Sequence, residues 1–358
     1  MNFKYFVVFL FAVISFGATA QIIVKANDPH IHYMGRVDVT DSAAVLSWSG
    51  NSAKINFRGT GIKFTLRDER ADNYLDVILD GKMMSPIHET KNLKLGTLID
   101  NLPSGNHTLE LFKRTEWAMG KLWLYNFEIE KGGEVLPATP AHKRKIEFFG
   151  NSISCGYAAL DTEGKDRGTS TYEDGYNSYA ALTARHFNAE FHNTSKSGIG
   201  ITVSWFPLVM SEMYDRLDAT DPNRKWDFSK YTPDVVVINL FQNDSWIVKK
   251  PDNDQFKAKF GTTPPNDDFI INAYRSFVKS VRGKYPKASI ICILGSMDAT
   301  QQGSPWPGYI DKAVAALSDN NIYTHFIPYK NTPGHPSLKE QQDMANDLEA
   351  FIAQKIKW

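Results

Sequence analysis

Cysteine is nearly absent from this sequence: among 358 residues only Cys155 and Cys292 occur. A small disulfide-stapled scaffold is thereby excluded. The pair is compatible either with one disulfide or with two buried thiols packed as small hydrophobes. An excess of either charge is missing too. Lysine plus arginine and aspartate plus glutamate each number 40, with no basic run or stripe, which argues against nucleic acid and anionic membrane as partners. No group of Cys, His and carboxylates has metal-ligand spacing, so neither a metal nor another cofactor is expected. After residue 20 no apolar run approaches the length needed to cross a bilayer.

The apolar stretch that does exist stands at the start. Lys4 precedes an almost wholly apolar run over residues 5–16, and Gly17-Ala18-Thr19-Ala20 ends on a small-x-small site. That is the pattern of a signal peptide, with an apolar core too short for a span. The expectation is a cleaved leader over 1–20 and a secreted or periplasmic chain. The remainder is long enough for two domains.

Its character changes near residue 140. Before that point short β-rich runs recur at 44–48, 55–57, 62–66, 74–79 and 108–112. Turn signals such as Asp80-Gly81 and Pro103-Ser104-Gly105 separate them, and helical periodicity is lacking. An antiparallel β-sandwich of jelly-roll type over 21–140 follows from that spacing. After a short proline-bounded linker, apolar strands are expected at 146–149, 235–240, 289–294 and 323–327, and amphipathic helices at 176–187, 269–284, 309–318 and 338–356. Strands alternating with helices imply an α/β domain over 141–358, a three-layer, doubly wound parallel sheet. Ligands in such sheets bind beyond the carboxyl ends of the strands.

Four blocks fall at those ends. Gly150-Asn151-Ser152 leaves the first strand, where a serine hydroxyl would point into the cleft. Ser197-Gly198-Ile199-Gly200 follows the strand-like segment 189–193, and Asn243-Asp244 follows 235–240. The amides of Ser152 and Gly198 and the side chain of Asn243 would offer three donors to one oxyanion, although glycine and asparagine are also ordinary turn residues. His335, in Gly334-His335-Pro336-Ser337 ahead of the last helix, is the candidate base. The competing histidines fit less well: His186 lies on a helix, His192 and His325 in strand-like segments, and His142 in the linker.

These blocks resemble those of the SGNH (GDSL-type) hydrolases, matched here by Ser152, Gly198, Asn243 and His335. The segment from Ile146 to Tyr157 (IEFFGNSISCGY), with Tyr33-Met34-Gly35-Arg36 and Phe57-Arg58-Gly59-Thr60 upstream, resembles carbohydrate esterase family 2. That family pairs a jelly roll with a flavodoxin-like SGNH domain. The resemblance implies a serine esterase that removes O-acetyl groups from hemicellulose-type chains such as xylan or glucomannan. It also implies acetylated poly- or oligosaccharide as partner, and a monomer is the expected state. Trp246 and Trp306 would then stack on sugar at the cleft rim, a packing role being the alternative for each.

Three positions depart from the pattern. Asn151 replaces the usual aspartate, Phe241 stands where glycine is usual, and Thr332 and Pro333 occupy the places of the acid that normally precedes the histidine. The expectation is therefore a Ser–His dyad, with a backbone carbonyl of residues 329–333 orienting the imidazole, the alternative being a carboxylate delivered by a distant loop. Two rival readings stay open: a decayed hydrolase that only binds carbohydrate, and a lipase or thioesterase for longer acyl chains.

Overall fold

The computed structural model describes residues 21–88 and 94–358, so the expected leader lies outside the described residues. The first part of the chain forms two antiparallel sheets. One runs in the order Lys94–Ile99, Ile62–Asp68, Leu122–Ile129, Ala44–Leu46 and Asp38–Val39, with Ile22–Lys25 also paired to Leu122–Ile129. The other runs Glu134–Val135, Ser52–Gly59, Gly105–Lys113, Tyr74–Leu79 and Lys82–Met83. Period-two patterning makes the core between them. In Ser52–Gly59 the residues Ala53, Ile55 and Phe57 are fully buried, while Lys54, Asn56 and Arg58 turn outward. Phe64 and Phe127 meet them from the facing sheet. A bulge between Leu124 and Asn126 resets the alternation, which is how both Leu124 and Phe127 reach the same core.

From Arg144 onward the sheet is parallel. Its strands are β1 (Arg144–Gly150), β2 (Ala189–Ser195), β3 (Val235–Asn239), β4 (Ser289–Leu294) and β5 (Ile322–Phe326), ordered β2-β1-β3-β4-β5. The main helices are α1 (Tyr179–His186), α2 (Asp267–Lys284), α3 (Trp306–Ala315) and α4 (Leu338–Lys355). The central strands read as continuous apolar runs because both faces are covered. Val236 and Ile238 of β3 pack with Tyr274 and Phe277 of α2 and Ile310 of α3. Val235 and Val237 face the other way, onto Ala181 of α1 and Leu348 of α4.

The two parts are joined by buried contacts. Trp48 lies in the core of the parallel-sheet part, and its Nε1 donates to Leu217 O at 2.8 Å. Arg36, from the early Tyr-Met-Gly-Arg motif, bridges to Glu147 of β1 at 2.7 Å with both side chains buried. Cys155 and Cys292 are free, buried thiols. Of the two alternatives for the pair, packing rather than cross-linking is found, and burial pushes both thiols above their ordinary range.

Candidate active site

Register places three strand ends side by side. Gly150, the last residue of β1, pairs with Ser195 of β2 and with Asn239 of β3. This is where the strand order reverses, the switch point at which such sheets open a crevice. Ser152 lies two residues beyond its strand, Gly198 three and Asn243 four, so the chain delivers all three to one place. A cavity of about 340 Å³ between the two parts of the molecule is lined by Lys54, Tyr176, Arg185 and Ala189. Ala189 starts β2, so that cavity opens at the amino end of the sheet and holds none of these residues.

Ser152 begins a single helical turn, Ser152–Cys155, capped by the Asn151 side chain, which accepts from Ile153 N at 3.0 Å. The amide oxygen of Asn151 thus supplies an acceptor where a carboxylate is usual. A side chain at Gly150 would collide with Ser154 Oγ, 2.1 Å from the Cβ position, so only glycine allows the turn to fold back this tightly.

His335 Nε2 lies 2.8 Å from Ser152 Oγ, and His335 Nδ1 lies 2.8 Å from Asp166 Oδ1. An ionised carboxylate can only accept, so Nδ1 carries the hydrogen and Nε2 is left to accept from the serine hydroxyl. The same Oδ1 also accepts from the His335 backbone N–H at 2.8 Å. These hydrogen bonds from His335 hold the Asp166 carboxyl below its ordinary range, against partial burial that pushes it up. The expectation of a backbone carbonyl behind His335 is therefore corrected to a carboxylate. The physical reason is visible in the 329–333 segment. Lys330 Nζ donates to the Thr332 and Pro333 carbonyls at 2.9 and 3.1 Å, which turns both toward the ammonium, while the stronger, charged acceptor of Asp166 meets Nδ1. A capping box between Ser337 and Glu340 fixes the start of α4 just after His335. Tyr157 lies against the imidazole, ring centroids 4.4 Å apart.

The donor side is equally ordered. Among the described residues the backbone N–H groups of Ser152 and Gly198 have no protein acceptor. Gly198 adopts φ +82°, and Phe206 and Trp205 crowd its face. Asn243 Nδ2 donates to Ile199 O at 2.8 Å, and its Oδ1 accepts from Trp205 Nε1 at 3.0 Å. Those two bonds set the amide's orientation and leave its second N–H to point elsewhere. Buried Asp244 accepts from the amides of Ile201, Thr202 and Val203 and from the Thr202 hydroxyl. Burial pushes its carboxyl up against those bonds. The loop that carries Gly198 is thereby tied to the turn that carries Asn243.

The aromatic expectations divide. Trp306 is 2% exposed and packs against Phe241 and Tyr309. Its place at the rim is corrected to a core position, because the first turn of α3 presents it to the aromatic cluster. Trp246 is half-buried and donates from Nε1 to both carboxylate oxygens of Asp298 at 2.9 Å. Trp205, not singled out in the sequence, is 38% exposed beside Gly198 and Asn243. Phe241 holds φ +88°, a left-handed conformation costly for a bulky side chain, and its ring is buried against Tyr274 and Trp306.

Sequence reasoning also missed Asp166. It sits in the loop between β1 and α1, which the Asp161 carboxylate shapes by accepting from Arg167 Nε at 3.0 Å and Arg167 N at 2.9 Å. Asp166 adopts φ +56°, which aspartate tolerates better than most residues. The only available signal was a turn-rich, acidic stretch leaving the same sheet edge as Ser152.

Comparison with known proteins gives a consistent neighbourhood. The profile of the carbohydrate esterase 2 N-terminal family matches residues 33–140, and that of the GDSL-like lipase/acylhydrolase family matches 148–350. The cellulase/esterase CelE of Acetivibrio thermocellus is 32% identical over 348 residues, covering 93% of this chain. The match spans 40% of that protein's own length. An acetylxylan esterase / glucomannan deacetylase of Cellvibrio japonicus is 25% identical over 344 residues, covering 94% of this chain and 91% of the relative. A solved family two carbohydrate esterase from Clostridium thermocellum, in complex with cellohexaose, superposes with TM-score 0.80 at 31% identity, covering 91% of this chain and 98% of that one.

Proposed function

We propose, from the premise that this chain belongs to the GDSL-like lipase/acylhydrolase family and within it groups with the family 2 carbohydrate esterases, that it is a carbohydrate O-acetyl esterase working through a serine acyl-enzyme. The observation that carries the reading is the relay Ser152 Oγ–His335 Nε2 and His335 Nδ1–Asp166 Oδ1, each link 2.8 Å. His335 takes the hydroxyl proton as Ser152 attacks the acetyl carbonyl. The oxyanion that forms is met by the amides of Ser152 and Gly198 and by the remaining Asn243 N–H. The sugar oxygen leaves with the proton held by His335, and water then cleaves the acetyl-enzyme with His335 again as base. Asp166 holds the imidazole in its reactive tautomer and offsets its positive charge.

A carbohydrate substrate is favoured by the aromatic side chains that flank the site. The exposed face of Trp205 adjoins Asn243, and Trp246 stands one turn along from it, so both are platforms for a pyranose ring. The names of the relatives support acetylated xylan or glucomannan as the polymer. We read residues 21–140 as a jelly-roll domain and 141–358 as a three-layer hydrolase domain. The leader pattern over 1–20 supports export. The test is acetate release from acetylated xylan and acetylated glucomannan, set against nitrophenyl esters of increasing acyl length. Turnover confined to long acyl chains would replace this reading with a lipase, and no turnover on any ester would replace it with a binding protein.

A further inference from the structure

The segment that joins two strands of the N-terminal part runs directly behind the oxyanion loop. Glu116 lies between Gly105–Lys113 and Leu122–Ile129 and is 1% exposed. Its Oε2 accepts from the backbone N–H of Ser197 at 2.9 Å. Ser197 is the residue before Gly198, whose own N–H has no protein acceptor among the described residues. The next residue along, Trp117, places its ring 4.0 Å from Lys196 Nζ, and Phe206 lies 4.1 Å from the same ammonium on another side. Phe206 in turn crowds the face of Gly198. A cation over an aromatic ring is a directional contact, so residues 116 and 117 grip the loop at Ser197 and at Lys196.

Charge supports the same arrangement. Burial, together with the negative charge of Glu116, pushes the carboxyl of neighbouring Glu173 well above its ordinary range. Glu173 also accepts from the Glu116 backbone N–H. Lys113 Nζ donates to the carbonyls of Thr115 at 2.6 Å and Glu116 at 3.1 Å. The short connection is thus held from its own domain by Lys113 and from the hydrolase domain by Glu173.

We propose that Glu116 is a positioning residue for the oxyanion donor of Gly198, so that the N-terminal domain completes the catalytic geometry instead of serving only to bind or solubilise. The inference rests on the serine-esterase reading given above. The carboxylate accepts from the Ser197 N–H and so fixes the Lys196–Ser197 peptide plane, the one before the plane that carries the Gly198 N–H. That leaves the Gly198 N–H aimed into the crevice at positive φ. Without this acceptor, the part-buried Ser197 amide would turn to find another partner, and the rotation, passed on through Ser197, would shift the Gly198 amide.

The experiment compares wild type, Glu116→Gln and Glu116→Ala on nitrophenyl acetate, with rates expressed per active site titrated by a serine-directed phosphonate. Displacing one donor by a fraction of its hydrogen-bond length costs up to about 100-fold. Glu116→Ala should therefore lose about 10- to 100-fold in kcat with KM changed less than about twofold. Glu116→Gln, which keeps an acceptor oxygen of the same shape, should recover most of the rate. Inhibition by a boronic acid, whose tetrahedral adduct fills the oxyanion position, should weaken in parallel with kcat. A merely structural role would lower the melting temperature and the titrated fraction while leaving kcat per site and boronate affinity at wild-type values; that result overturns the proposal. If Glu116→Ala does not fold, Trp117→Leu carries the same two readouts, and wild-type values of both in that folded variant overturn it equally. A wild-type protein that hydrolyses no ester would instead sink the esterase reading, and this inference with it.

Discussion

Replacing Asp166 by Asn or by Ala separates the two things its carboxylate does. One is to hold the imidazole tautomer; the other is to offset the charge of the imidazolium. Losing the acid of a Ser–His–Asp relay typically costs about 10⁴-fold in kcat. Here the carboxylate is 36% exposed, so water screens its charge and can replace it as acceptor. The expected cost of Asp166→Ala is accordingly about 10²- to 10³-fold in kcat, or about 3–4 kcal/mol in the barrier. Asn should be milder, for a reason specific to this site. A single oxygen, Oδ1, serves both the backbone N–H and Nδ1 of His335. The backbone donor would draw the amide oxygen of Asn into that position and turn its NH₂ outward, which preserves the reactive tautomer. Only the charge would be lost, for about 10- to 100-fold in kcat. Steady-state hydrolysis of nitrophenyl acetate by folded, site-titrated variants measures both. Retention of half the wild-type kcat by Asp166→Ala would refute a carboxylate relay, and Asp166→Asn falling below Asp166→Ala would refute the shared-oxygen argument.

Lys330→Met removes the donor to the Thr332 and Pro333 carbonyls while keeping the stem; kcat should fall about 10-fold through a looser His335, with KM unchanged. Phe241→Gly relieves left-handed strain of about 1–3 kcal/mol but deletes a fully buried ring worth about 3–5 kcal/mol, so chemical denaturation should show a net loss of about 2 kcal/mol, and a gain in stability would contradict the packing described. Asp76 is buried near Arg114, and burial outweighs that attraction, pushing its carboxyl up to about 7. The folded state then holds a proton that the unfolded chain releases above about pH 4, so this group's contribution falls as pH rises from about 4 to 7. Asp76→Asn should gain melting temperature relative to wild type between pH 4.5 and 8, and an unchanged difference across that range would show that Asp76 titrates normally.

The parts of this account that lay open in the sequence are those with a short-range physical signature. The parallel strands read as apolar runs because both their faces are covered. The helices α2 and α4 read from their amphipathic periodicity, and the structure adds Asn266 and Ser337 as their caps. Ser152, Gly198, Asn243 and His335 were singled out because each leaves the same edge of one sheet. What stayed hidden depends on long-range placement. Asp166 meets a partner 169 residues away, and Glu116 meets one 81 residues away, so neither spacing carries a local rule. Strand Leu122–Ile129 was missed where its bulge breaks the period-two pattern. Trp306 was placed at the rim because nothing local reveals that Phe241, itself in an unusual conformation, waits to pack on it.

The central claim is that Ser152 carries the acetyl group between two halves of one reaction. Rapid acid quench of the enzyme mixed with excess nitrophenyl acetate, followed by mass spectrometry of the proteolysed chain, tests it directly. The account predicts one added acetyl group on the peptide containing Ser152, formed within the first turnover and accumulating further in a variant slowed at deacylation. It also predicts no acetylated peptide in Ser152→Ala. Hydrolysis by Ser152→Ala at the wild-type rate, or an acetyl group found on another residue in competent time, would contradict it.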